Sequence, residues 1–335
     1  MTARHRSLVW GLIVLLLAGC GGGSQNGDSV RLTIPPGSGL GAVSDSLAAN
    51  EVIQWPFAFR LYARAQGAER SIRPGTYEME PGSSWAVVLD KLVRGDVVTQ
   101  RITIPEAWTA RQIAIRIGET LQIPPDSVLR VLHDSSAAET HEVPGPTLEG
   151  YLYPATYVFP LGVDLSRTIR EMVAAYQRAW SPELRARADS LGMSEREVVT
   201  LASIIEAEAR VWGERDTISA VYNNRLRRGM RLQADPTVQY ALGERQARLL
   251  YAHIDEVADH PYNTYRRDGL PPGPIGSPSR EAIHAALYPA DVGFLFFVAR
   301  PDGTHIFTHT YAEHNVARRQ VRQALDAAAA EGQTQ

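Results

Sequence analysis

Thr200-Leu201-Ala202-Ser203-Ile204-Ile205-Glu206-Ala207-Glu208-Ala209 is the stretch around which this chain is organised. Ser194 followed by Glu197 forms a capping box, which marks the start of a helix. Val198, Leu201, Ala202, Ile205 and Ala209 then recur at helical spacing and define one apolar face. At roughly 100° per residue, Glu206 falls on the flank of that face and Glu208 about 200° away from it, so the two carboxyls cannot serve one site as a pair. Partial burial at the flank would raise the Glu206 pKa, as a general acid requires. The plain alternative is a solvated helix residue.

Working outward, the chain has 335 residues, enough for two domains. Its 44% hydrophobic and 21% charged residues are ordinary for a globular protein, and a net charge of −3 gives no electrostatic case for nucleic acid. Residues 1–20 read as a leader: Arg4, His5 and Arg6 precede an apolar run, Leu8 to Leu17, that is short for a bilayer span. The run ends in Leu17-Ala18-Gly19-Cys20, which resembles the lipobox of bacterial lipoproteins and implies lipidation of Cys20. An uncleaved signal anchor is the other reading. Either way, most of the protein lies outside the cytoplasm, tied to a membrane. Cys20 is the single cysteine, so no intramolecular disulfide can form.

Residues 21–29 (GGGSQNGDS) read as a flexible tether. Val30 to Ile34 alternates as a strand, a Pro-Gly turn follows, and Val43, Leu47 and Ile53 space out a helix and its exit. The pattern returns at Arg101 to Pro105 with Ile113, Ile117 and Ile123, so a strand–turn–helix unit is used twice. Residues 30–100 form a β-α-α-β grouping of small-module size that resembles a LysM-like domain, a fold that binds the N-acetylated sugars of cell-wall glycans. A plain spacer domain fits as well. Residues 101–330 then form a larger mixed α+β domain, giving an α+β fold overall. Within it, Asp126 is expected to cap a short helix, and Asp134 to Pro146 to be loop. Tyr151, Tyr153 and Tyr157 suit either a sugar-stacking wall or a core. Asp235-Pro236 reads as an N-cap before a helix-starting proline, which alone could explain Asp235. Phe294 to Arg300 and Thr304 to Thr308 read as a hairpin, and Tyr311 to Ala330 as a closing helix.

His305, His309 and His314 could bind zinc, but no established zinc spacing is present, and fixing loops by hydrogen bonding is the preferred role. No metal and no organic cofactor is expected. A phosphate loop and a G-x-S-x-G elbow are both missing, which disfavours nucleotide enzymes and serine hydrolases.

Several motifs occur in a fixed order: Arg73-Pro74-Gly75-Thr76-Tyr77, Leu148-Glu149-Gly150-Tyr151-Leu152, Leu201 to Glu206, Asn224-Arg225-Leu226, Gly229 to Thr237, Tyr262-Asn263-Thr264-Tyr265, Gly269 to Ile275 and Glu313-His314-Asn315. Together they resemble the YceG-like family, the endolytic murein transglycosylases, over about residues 30 to 325. The resemblance implies cleavage of peptidoglycan strands between N-acetylmuramic acid and N-acetylglucosamine without water, leaving a 1,6-anhydro-muramyl end. It carries the family's catalytic acid onto Glu206. It also implies that Gln233, Asp235, Thr237, Gln239 and Tyr240 line one side of a cleft, and that Asn263, Thr264 and Tyr265 hold the acetamido group or steady Glu206. Tyr151, His314 and Asn315 join the substrate side, as does Glu149, the chief rival acid. Penicillin-binding glycan synthases are the implied partners on nascent strands, and the anchored protein faces the periplasm, from the inner membrane by the family resemblance or from the outer membrane by the lipobox. The chain departs from the family pattern in its lipobox, in His260 where a serine is usual, and in Gly276-Ser277-Pro278-Ser279. The competing reading is a non-enzymatic glycan-binding lipoprotein.

Overall fold

A computed structural model describes residues 28–246 and 249–332. The leader, Cys20 and most of the tether lie outside the described residues. The chain divides into two compact units.

The first unit holds the described residues up to Arg101, together with Val158–Val163. Strand β1 (Val30–Ile34) is followed by α1 (Leu40–Ala49), α2 (Pro56–Ala65), β2 (Gly75–Met79) and α3 (Trp85–Arg94). β1 and β2 are antiparallel, with Leu32 opposite Tyr77. Alternation sends Leu32, Ile34, Tyr77 and Met79 inward, where they meet Val43, Leu47, Phe59 and Leu92. Gly75 and Gly95, both at positive φ, leave no room for a side chain: an added Cβ would lie 2.5 Å from Val97 and 2.6 Å from Arg73 respectively.

Strand β3 (Thr99–Ile104) leads onward to α4 (Ala110–Leu121), α5 (Pro125–Leu132) and α6 (Ser135–Thr140), and β4 (Ala155–Pro160) pairs with β3. The repeated strand–turn–helix unit is visible in the burial. Ile102, Ile104, Ala110, Ile113 and Ile117 match Leu32, Ile34, Leu40, Val43 and Leu47. Two local expectations are corrected. Asp126 lies inside the first turn of α5, with Pro124 at the cap position and no side-chain cap. Residues 135–140 are helical because Asp134 caps them, accepting from Ser136 N.

The second unit continues with α7 (Leu165–Ala179), α8 (Pro182–Leu191), α9 (Glu195–Glu208), a 3-10 turn at Trp212–Glu214, α10 (Arg215–Arg227), α11 (Asp235–Leu242), α12 (Tyr251–Glu256) and α13 (Arg280–Leu287). The hairpin β5 (Phe296–Ala299) and β6 (His305–Thr308) is antiparallel, with Ala299 opposite His305, and α14 (Tyr311–Gly332) follows. Helix α9 starts at the expected Ser194–Glu197 capping box. It is not one-faced, however. Every residue from Val198 to Glu206 is buried, because α8, α10, α11 and α13 pack around it. A helix enclosed on all sides needs small or apolar residues all round, which Ala202 and Ser203 provide. The fold is therefore mixed α+β, with small antiparallel sheets and α9 at the centre of the larger core.

Candidate active site

Glu206 is 6% exposed. Its Oε1 accepts from Arg215 Nη2 at 2.7 Å, and its Oε2 accepts from the Ser279 backbone N–H at 2.9 Å and from the Ser279 hydroxyl. Arg215 also reaches Glu106 Oε2 at 3.5 Å. Burial, with the neighbouring Glu206 charge second, holds the Glu106 carboxyl above its usual range. Ser279 does double duty, because its hydroxyl also caps α13 through Ala282 N. One turn back, Ser203 Oγ accepts from Ile275 N at 3.0 Å. This side of α9 thus clamps the 275–279 loop, the start of α10 and the turn after β3. An open cleft of about 390 Å³ lies beside it, lined by Arg215, Asp216, Arg280, Glu281 and His284. Sequence reasoning missed Glu106 and Arg215, and treated Ser279 only as a departure from the family pattern. The signal for Ser279 was present as a Ser ahead of a helix, an N-cap candidate.

Glu208 ends the same helix and meets a different set of groups. Tyr222 on α10 donates its hydroxyl to Glu208 Oε1 at 2.9 Å. Burial, reinforced by the Asp235 charge, pushes the Glu208 carboxyl up to about 8. Asp235 is exposed and accepts from the Tyr265 hydroxyl at 2.5 Å. The capping explanation of Asp235 is corrected: Ala234 holds the cap position and Asp235 is the first helical residue, so its carboxylate is free for Tyr265. Of the residues expected to line the cleft, or to hold the acetamido group or steady Glu206, two lie by the other carboxyl. Asp235 and Tyr265 gather at Glu208, on the other side of α9, as the 200° separation requires.

The remaining motif residues build the wall behind that site. Thr264 Oγ1 accepts from Ala234 N at 3.0 Å and shares a 2.8 Å hydrogen bond with Thr237, and both threonines are fully buried. Asn263 is buried, donating to Ile254 O and Val257 O and accepting from Tyr265 N. These three residues shape the turns. Gln233 is exposed, with left-handed backbone at φ 48°. Gln239 clips residue 246 in both directions, accepting from Gln246 N and donating to its carbonyl. His260 Nδ1 accepts from Tyr262 N, so the residue in the family's serine position still closes the turn.

Glu149 is buried, accepting from Ala110 N at 2.8 Å and from the Tyr240 hydroxyl at 3.1 Å. Burial pushes it up to about 7. Its partners are the first turn of α4 and a side chain of α11, so it joins these elements. Tyr151 is corrected from glycan wall to core, being wholly buried with its ring edge-on to Tyr176. Neighbouring Gly150 has φ +83°, and a Cβ there would lie 2.3 Å from Pro274. His314 packs on Phe296 and, like Asn315, is half-buried on α14. His305 pairs with Glu214 at 2.7 Å and His309 packs on Phe294. Among the described residues no group of three His, Cys, Asp or Glu side chains is disposed to hold a metal.

The profile of the YceG-like family matches residues 32–320. An endolytic murein transglycosylase of Bacillus subtilis is 33% identical over 309 residues, covering 87% of this chain and 84% of the relative. The endolytic murein transglycosylase of Streptococcus pneumoniae serotype 2 is 28% identical over 316 residues, covering 85% of this chain and 57% of the relative. Among solved structures, a YceG-like protein from Listeria monocytogenes aligns with a TM-score of 0.60 at 34% identity, over 86% of this chain and 98% of that one. With a family match running through both units, this chain belongs to the YceG-like family.

Proposed function

We propose that this protein is an endolytic peptidoglycan lytic transglycosylase that cuts between N-acetylmuramic acid and N-acetylglucosamine, with Glu208 as the proton donor. The observation that carries the reading is a half-buried carboxyl raised to about 8 beside the Asp235–Tyr265 pair. Such a group keeps its proton near neutrality, and a general acid needs that proton. Glu206 is the weaker choice, because Arg215 and Ser279 occupy both its oxygens.

In this mechanism Glu208 gives its proton to the glycosidic oxygen as the C1–O bond breaks. The resulting carboxylate takes the proton of the muramyl C6 hydroxyl, whose oxygen bonds to C1 and closes the 1,6-anhydro ring. The acid ends the cycle reprotonated and no water is consumed. An internal nucleophile benefits from proximity, so a second carboxylate in the usual glycosidase spacing is not required. Asp235 and Tyr265 tune Glu208 and border the sugar, Gln233 is exposed for substrate contact, and the threonines and Asn263 keep the turns in shape.

The resemblance extends this reading. The first unit, with two helices between paired antiparallel strands, serves as a LysM-like glycan-holding module. Cys20 carries a lipid anchor that keeps the protein on the periplasmic side of a membrane, where it ends nascent strands beside penicillin-binding synthases. Among the described residues no helix is long and apolar enough to cross a membrane.

The test is digestion of uncrosslinked glycan polymer, with products read by mass spectrometry. Anhydro-muramyl ends from wild type, lost in Glu208→Gln, support the proposal. Loss in Glu206→Gln with full activity in Glu208→Gln would return the role of acid to Glu206. Reducing ends in place of anhydro ends would mean a water-using muramidase, and no products at all would favour the scaffold reading.

A further inference from the structure

Helix α2 carries large apolar residues on its outer side as well as its inner one. Its inner positions, Phe59 and Ala63, are fully buried. Its outer face presents Phe57 at 73% exposure and Leu61 at 62%, one turn apart, with Trp55 at 67% just before the first turn. Trp55 sits in left-handed backbone at φ 54°, a conformation that disfavours a bulky residue. Its ring is mostly open to solvent, so little core packing repays that cost. The three side chains expose roughly 400 Å² of apolar surface, the size of the largest patch on a typical monomer, which is often functional. Arg60 lies over the Phe57 ring, 5.9 Å from its centre, and Arg64 is on the next turn. Both arginines make surface ion pairs, with Asp45 and Glu69, and such pairs are weak enough to exchange for other anions.

From this face we infer that α2 is a membrane-interface helix, seating Trp55, Phe57 and Leu61 at the headgroup–acyl boundary with Arg60 and Arg64 toward lipid phosphates. The inference rests on the reading of Cys20 as the lipid anchor. From Cys20 to β1 there are nine intervening residues, which span at most about 36 Å when extended, so an anchored first unit stays within reach of the bilayer. Three features favour lipid over glycan. The face is the outer side of a helix, Leu61 offers no ring for a sugar to stack on, and aromatic, aliphatic and basic side chains together are the composition of interfacial helices.

The experiment uses the full chain, purified from its host and reconstituted into vesicles of phosphatidylcholine and phosphatidylglycerol, with or without bromine on the acyl chains. Flotation reports anchoring, and tryptophan quenching by bromine reports insertion. The Trp55 contribution is the difference between wild type and Trp55→Leu, so other membrane-proximal tryptophans cancel. Bromine is expected to remove at least half of that contribution in wild type and less than a tenth in Phe57→Ser/Leu61→Ser, with flotation and glycan cleavage unchanged in both. Equal Trp55 emission in brominated and plain vesicles overturns the proposal. So does unchanged quenching in the double variant, or shielding of Trp55 from iodide by glycan strands but not by vesicles. A chain that fails to float removes the anchor and the proposal with it, while loss of glycan cleavage leaves the quenching result standing.

Discussion

Tyr222 and Glu208 are joined hydroxyl to carboxylate at 2.9 Å, tying the last residue of α9 to the middle of α10. The bond steadies the ionised form of Glu208, working against the burial that raises it. Tyr222→Phe removes that bond and little else, since the ring keeps its edge contact with Phe297. The alkaline limb of kcat/KM is expected to move to higher pH in the variant, at a cost of about 1 kcal/mol in stability. Rate profiles on glycan polymer, with urea titrations, check both; a limb that stays in place would detach Glu208 from catalysis.

The wild-type pH profile follows from the same carboxyl. An acid raised to about 8 is protonated at pH 7 and loses its proton as pH rises through 8. Activity should therefore hold to about pH 7.5 and then fall tenfold per pH unit well above 8, the limb reporting the free enzyme's acid.

Glu149, raised to about 7, adds a pH-dependent part to stability. Its folded pKa lies above the unfolded value, so its contribution is fully present below about 4.5 and is lost as pH rises through 7. Wild type should lose melting temperature between pH 5 and pH 8, and Glu149→Gln should lose less over that range. Calorimetry at four pH values reads the difference in slope; parallel slopes would show that Glu149 is not the source.

Gly150→Ala tests the close approach of two motif loops. The new Cβ would lie 2.3 Å from Pro274, on backbone at φ +83°. Strain and contact together should cost about 2–4 kcal/mol. A denaturation midpoint within error of wild type would show that the loops part easily.

Thr264→Val keeps the shape of the side chain but removes the hydroxyl shared by Thr237 and Ala234 N. An unpaired buried donor costs about 1–3 kcal/mol. The expected signature is a kcat loss larger than any KM change, because the two turns would set Asp235 and Tyr265 less well. Restoration by Thr264→Ser would separate the hydroxyl from the methyl.

The Ser194–Glu197 cap, the hairpin strands and the repeated strand–turn–helix pattern were legible in the sequence because each depends on residues a few positions apart. So was the divergence of Glu206 and Glu208, a consequence of helical pitch. Tertiary structure alone decided which carboxyl meets which motif. Ser279 reaches Glu206 from 73 residues away, and Tyr240 reaches Glu149 from 91. It also turned Tyr151 inward and enclosed α9 on every side. Burial and charge neighbours set a carboxyl's proton affinity, and both come from distant segments of the chain brought together by folding.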